Sequence, residues 1–216
     1  MLNRVLVLDA SGKGAQAAIF DGPKCLATGS LTGEPGLPAR LAPMVAELIE
    51  QAGAPEAIGV VTGPGGFTGL RASLALAAGL GAGWSVPVYG LDIAQVLAVS
   101  LPDLEGRPLW TALHARRDRI FLQRGDVFEA FDKAALPKPT GPVAAAGDAA
   151  IWLAASLASV GANVMLTGAR APHLMELARL TLALARSGAT PAPLLPAYVD
   201  PPEAALPRGG LRPAPA

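Results

Sequence analysis

The sequence predicts an α/β fold built from two consecutive units. Three observations carry this. Short apolar runs of strand length come first as a trio broken by glycine-rich turns. Similar runs then alternate with helical patterns. After a proline-bounded segment at 102–108 the same succession starts again. Strands that alternate with helices indicate parallel βαβ units.

The elements follow in order. Residues 4–9, 15–20 and 24–29 are strand-like, and the turns Ser11-Gly12-Lys13-Gly14 and Asp21-Gly22-Pro23 separate them, so they read as an antiparallel meander. Leu37, Leu41, Met44, Val45, Leu48, Ile49 and Ala52 recur at helical spacing and form one broad apolar face. Residues 57–62 (AIGVVT) read as a buried strand, 63–69 (GPGGFTG) as a loop, and 70–83 as a helix that is apolar nearly all round. A strand at 86–89 follows, and Asp92 with Gln95 can form a capping box for a third helix. This β-β-β-α-β-α-β-α order is that of a ribonuclease-H-like domain.

Residues 109–113, 119–124 and 127–130 read as a second, shorter meander. Strand 143–146, helix 148–159, strand 163–166 and helix 172–187 complete the second unit. Two such units in tandem predict an actin-like, two-lobed architecture with a reduced second lobe. The expected division is an N-terminal lobe at 1–101, a smaller lobe at 102–189 and a proline-rich tail at 190–216 with little regular structure.

Composition excludes several classes. The chain has 216 residues, with 17 Lys and Arg against 17 Asp and Glu, so it lacks the basic excess of a protein that binds nucleic acid alone. Charged residues make up 16% and hydrophobic ones 51%, which argues against disorder. The single cysteine, Cys25, excludes a disulfide framework and is expected as a small core residue in its strand. The two histidines, His114 and His173, lie far apart, and no HxxxH or HExxH occurs. The apolar run at 5–8 stops at Asp9 and is too short for a secretory signal, so a cytoplasmic location is expected. The uncharged stretches 72–91 and 149–169 contain glycines or a proline and read as helix, turn and strand, not as membrane spans.

The segment 63–69 is the most informative. Its glycines at 63, 65, 66 and 69 stand between a strand and a helix, which suits close backbone approach. Neither a P-loop nor GxGxxG matches this pattern. Arg71 falls in the first helical turn, where a cation opposes the helix dipole, so it implies a bound anion, a partner acid or a salt bridge within the fold. Phe67 is either a plug in the core or an exposed anchor. Ala75, Gly79 and Gly83 recur every four residues and would allow another backbone to approach. An apolar helical face left uncovered marks an interaction site and predicts self-association as a symmetric homodimer.

The stretch Val60-Val61-Thr62-Gly63-Pro64-Gly65-Gly66-Phe67-Thr68-Gly69-Leu70-Arg71 resembles the GPGSFTG[LV]R signature of the TsaB (YeaZ) family. The resemblance extends through Asp9-Ala10-Ser11, Leu41-Ala42-Pro43-Met44 and Pro87-Val88-Tyr89-Gly90-Leu91, and more weakly through Leu113-His114-Ala115-Arg116 and Pro196-Ala197-Tyr198-Val199-Asp200. It departs from the family pattern at Ala10, Leu37, Gly66, His114 and Asp200.

The resemblance implies a non-catalytic subunit that binds a TsaD-like partner and supports threonylcarbamoyl transfer to N6 of adenosine 37 in tRNA. The implied partner interface comprises Leu41, Val45, Leu48, Phe67, Leu70, Arg71, Leu74, Ala75, Ala78 and Gly79. A TsaE-like ATPase belongs to the same complex, and tRNA is met only indirectly. No cofactor is expected for this chain alone, with ATP or ADP and Mg²⁺ at the interface with partners. The alternative is an autonomous actin-like ATPase or small-molecule kinase, with Asp9, Gly63, Gly65 and Thr68 around the nucleotide. A glycoprotease, for which no metal-ligand cluster is visible, is the weakest reading.

Overall fold

The computed structural model describes residues 2–32, 36–115 and 119–197. The first unit contains β1 (Arg4–Asp9), β2 (Ala15–Asp21), β3 (Lys24–Leu31), α1 (Leu37–Ala52), β4 (Ala57–Gly63), α2 (Phe67–Trp84), β5 (Val88–Asp92) and α3 (Ile93–Val99). The second contains β6 (Leu109–His114), β7 (Arg119–Arg124), β8 (Val127–Asp132), a 3₁₀ turn at Lys133–Ala135, β9 (Val143–Ala146), α4 (Ala150–Ser159), β10 (Val164–Leu166) and α5 (Leu174–Ser187).

The two sheets share one topology. The first is ordered β3-β2-β1-β4-β5 and the second β8-β7-β6-β9-β10. In each, the opening strand pairs antiparallel with its hairpin partner and parallel with the strand that follows the first crossover. The tandem repeat is therefore one of topology. The reduction of the second lobe is located at the 3₁₀ turn Lys133–Ala135, which occupies the chain position that α1 holds in the first.

Strand alternation builds the first core on both faces of its sheet. Leu6, Leu8, Ile19, Ile58 and Val60 face Leu41, Val45 and Leu48 of α1 and Leu70, Leu74 and Ala77 of α2. Val5, Val7, Phe20, Ala57 and Val61 face Val96 and Leu97 of α3 and Leu177, Ala178 and Leu182 of α5. Each fully buried Val, Leu, Ile or Phe side chain here contributes about 1.5–3 kcal/mol. A second core forms between Trp110, Ala112, Ile120 and Leu122 and the α4 residues Leu153 and Leu157.

The placement of α5 is not evident in chain order. The sequence puts it in the second unit, yet it packs on the first sheet. Gly59 makes the approach possible, because a Cβ there would lie 2.0 Å from Thr181 Oγ1. Leu113, Ala146 and Ala169 of the second unit join the same apolar cluster, so the two units share a core.

Two local expectations differ from the observed structure, at the start of α2 and at Cys25. α2 begins at Phe67, so Phe67, Thr68 and Gly69 belong to the helix and not to the loop. Cys25 is exposed, not a core residue. It sits beside the β2–β3 turn, where the register shifts between Ile19 and Phe20 and disturbs the alternation. Residues 190–197 carry no regular structure but are held against the first lobe, as described below. The capping box is present: Asp92 accepts from the Gln95 N–H at 2.8 Å, and Gln95 Oε1 accepts from the Asp92 N–H at 3.0 Å. Among the described residues, no helix is long and apolar enough to cross a membrane.

Candidate functional site

The C-terminal ends of β1 and β4 meet the start of α2. Asp9 ends β1 and is buried. Its Oδ1 accepts the Ser11 N–H at 2.9 Å and the Ser11 hydroxyl at 2.6 Å, so the carboxylate turns back onto its own loop. β4 ends at Gly63, in a left-handed conformation with φ 113°, and the Gly63–Pro64 bond is cis. The Gly66 N–H donates to Ser11 O at 3.0 Å and joins the two loops.

The glycines are explained by this junction. A Cβ on Gly65 would stand 2.3 Å from Ser11 O and 2.7 Å from Ser11 Cα. One on Gly69 would stand 2.8 Å from Ala10 O. The close approach that the glycines permit is thus filled by the chain's own backbone at 10–11. Of the four residues expected around a nucleotide, the structure brings Asp9, Gly63 and Gly65 to one junction. Thr68 lies on the exposed first turn of α2.

Among the described residues, the donor set is a poor match for a Mg²⁺–nucleotide. Asp9 contributes one carboxylate, which is engaged by Ser11. The corresponding end of β6 carries His114, an exposed residue whose N–H donates to Asp148 Oδ1 at 2.8 Å. Among the described residues, no group of three His, Cys, Asp or Glu side chains converges. Mg²⁺ sites draw on carboxylates, phosphates and water in near-ideal octahedral geometry, which one internally bonded carboxylate does not provide.

Burial raises the Asp9 carboxyl above the ordinary aspartate value, while its two hydrogen bonds from Ser11 act in the opposite direction. With the folded value above the unfolded one, the native state holds the proton more tightly, and stability falls as pH rises through that window. Asp9→Asn is therefore expected to raise the melting temperature at pH 7, and to lose this gain below the unfolded-state pKa. Thermal melts at both pH values check this. A lower melting temperature at pH 7 would show that ionisation of Asp9 is needed to hold the Ser11 turn.

The expected partner interface divides into two sets. Leu41, Val45, Leu48, Leu70 and Leu74 are buried and pack on the first sheet, so they are not surface residues. Their apolar periodicity reports the inner faces of α1 and α2. Phe67, Arg71, Ala75, Ala78 and Gly79 are exposed along α2. Phe67 is 40% exposed and lies under the Arg71 guanidinium, 3.7 Å from the ring centroid. This resolves both as surface residues at the helix start, with Arg71 engaged in a cation–π contact. Trp84, at the far end, is 37% exposed.

Beyond Arg71, the exposed residues of α2 before Trp84 are alanine or glycine only: Ala75, Ala78, Gly79, Ala82 and Gly83. A Cβ on Gly79 or Gly83 would meet nothing within 4 Å. Gly81, which the four-residue spacing does not include, is the glycine that packs internally. A Cβ there would fall 2.2 Å from Val88 Cγ2. Arg116 and the segment Tyr198-Val199-Asp200 lie outside the described residues.

A family model described as TsaD, tRNA N6-adenosine threonylcarbamoyltransferase, matches residues 38–171. No curated protein sequence matches the chain. Among solved structures, YeaZ from Pseudomonas aeruginosa matches with a TM-score of 0.67 at 23% identity, over 91% of this chain and 100% of that one. A second structure, described as an uncharacterized protein with similarity to the peptidase YeaZ from Pseudomonas aeruginosa, matches with a TM-score of 0.69 at 21% identity, over 92% of this chain and 100% of that one. At these identities the likeness shows the fold, which is the ribonuclease-H-like, actin-like α/β fold expected from the element order.

Proposed function

The chain belongs to the tRNA N6-adenosine threonylcarbamoyltransferase (TsaD) family, and from that premise we propose that it is the TsaB-type, non-catalytic subunit of a threonylcarbamoyladenosine-forming complex. Family membership connects the chain with tRNA modification. The choice of a supporting role rests on the site. A single self-bonded carboxylate and a glycine loop filled by its own backbone favour a scaffold over a nucleotide or metal cradle.

The observation that carries the proposal is the exposed, side-chain-poor face of α2 between Phe67 and Trp84. A helix backbone of a TsaD-like partner can approach this face closely at Gly79 and Gly83, while the flanking aromatics supply apolar anchors. In the absence of that partner the same face pairs with a second copy about a two-fold axis. A TsaE-like ATPase completes the complex, ATP or ADP with Mg²⁺ is held with the partners' residues, and tRNA is met through them. The balanced charge of this chain fits an indirect role in tRNA binding.

Size-exclusion chromatography with light scattering, on this chain mixed with the TsaD-type protein of the same source, tests the reading. The expected result is a one-to-one complex that replaces a homodimer. Absence of any complex, together with ATP hydrolysis by this chain alone, would favour an autonomous ATPase or small-molecule kinase instead.

A further inference from the structure

The proline-rich segment after α5 is anchored on the glycine loop. β4 and β5 pair regularly up to Val61 and Leu91, then shift so that Gly63 is opposite Asp92. Thr62 lies at that irregularity, and its carbonyl is bonded from outside the ladder. That carbonyl accepts the Ala197 N–H at 2.8 Å.

Further contacts fix the path. The Tyr89 hydroxyl donates to Ala189 O at 3.1 Å, and the Leu195 N–H bonds Pro193 O at 2.9 Å. Leu194 packs against the cluster shared with α1 and α2. Gly90 leaves room for it, since a Cβ there would lie 2.6 Å from Thr62 Cγ2 and 3.1 Å from Leu194 Cδ2. Ala197 O lies 3.5 Å from where a Cβ of Gly63 would be. The segment therefore touches Thr62 and Gly63, which lead from β4 into the loop before α2, and Gly90 of the neighbouring β5.

We propose that residues 189–197 are a latch that positions the glycine loop and the first turn of α2. The bulge at Thr62 frees the chain to enter the loop, and the latch bonds the Thr62 carbonyl from outside the ladder. Cooperative local opening of the loop then requires release of the Ala197–Thr62 bond and of Leu194. This positioning role does not depend on which partner docks on α2.

Hydrogen–deuterium exchange of the full chain tests the latch in two variants. Ala197→Pro removes the donor, and Leu194→Ala removes the half-buried side chain while leaving the backbone able to bond. Both are expected to accelerate exchange across residues 62–72 by about five- to tenfold, with the amides of β1 and β2 unchanged. Unchanged exchange at 62–72 in both variants would overturn the proposal. So would equal acceleration across both sheets, because the segment would then add to global stability without positioning the loop.

Discussion

Replacing Ala75 and Gly79 together with arginine is expected to leave the chain folded and to abolish its complex with a TsaD-type partner. Both positions are exposed on α2, and a side chain at Gly79 meets nothing within 4 Å. Helix propensity does not oppose the change, since glycine in a helix interior is about 1 kcal/mol worse than alanine and arginine ranks near alanine. Two long cations on the docking face would hold the partner backbone away and bury charge on association. Affinity should fall at least about 100-fold, or about 2.7 kcal/mol, by titration calorimetry. The melting temperature should stay within about 2 °C of the parent, as expected for surface changes. Parental affinity would move the docking face off α2. Leu41→Asp or Leu74→Asp cannot serve this purpose, because each places a charge in the core beneath α1 and α2 and unfolds the lobe.

Gly65→Ala should destabilise the chain by about 2–4 kcal/mol, although it adds one methyl group to an exposed loop residue. The obstacle is backbone. The new Cβ would fall 2.3 Å from Ser11 O, 2.7 Å from Ser11 Cα and 2.8 Å from Ser11 C. No rotamer change relieves that contact, so the loop must leave the β1 turn and break the Gly66–Ser11 hydrogen bond. Gly66→Ala is the matched control. Its backbone is extended, with φ −62° and ψ 120°, and its Cβ would meet Gly12 O at an ordinary 3.6 Å. Chemical denaturation of both variants should show a large loss for the first and a change within about 0.5 kcal/mol for the second. Equal stability would mean that the junction does not require glycine at position 65, and would return the loop to consideration as a ligand cradle.

Much of the fold is legible in the sequence because its signals are local. Glycine turns separate β1, β2 and β3, apolar spacing marks α1, and Asp92 with Gln95 announces α3. The start of α2 at Phe67 is less legible, since Gly66 and Gly69 around it weaken the helix signal, and the helix is stabilised from outside by packing on the β1 turn. At the candidate site, the glycine loop and Asp9 are visible as residue types. Their juxtaposition is not, because it depends on β1 and β4 lying side by side in parallel.

The interface expectation shows the same limit from the other side. A helix that is apolar nearly all round does not reveal which face its own sheet consumes. Leu70, Leu74 and Ala77 go to the sheet, whereas Ala75, Ala78 and Gly79 go outward, and only the packing of α2 on β1, β4 and β5 makes that division. The glycine at position 81 is explained only when Val88 lies against it.

By itself, the sequence determined the element order, the α/β class, the tandem plan and the family resemblance at 60–71, all of which depend on neighbours along the chain. The tertiary structure alone decided that α5 crosses to the first sheet, that the glycines of the loop hold the β1 turn, and that residues 189–197 close on Thr62. These are contacts between residues far apart in sequence. Periodicity and propensity carry no information about them, because the free energy that selects them comes from burying one surface against another.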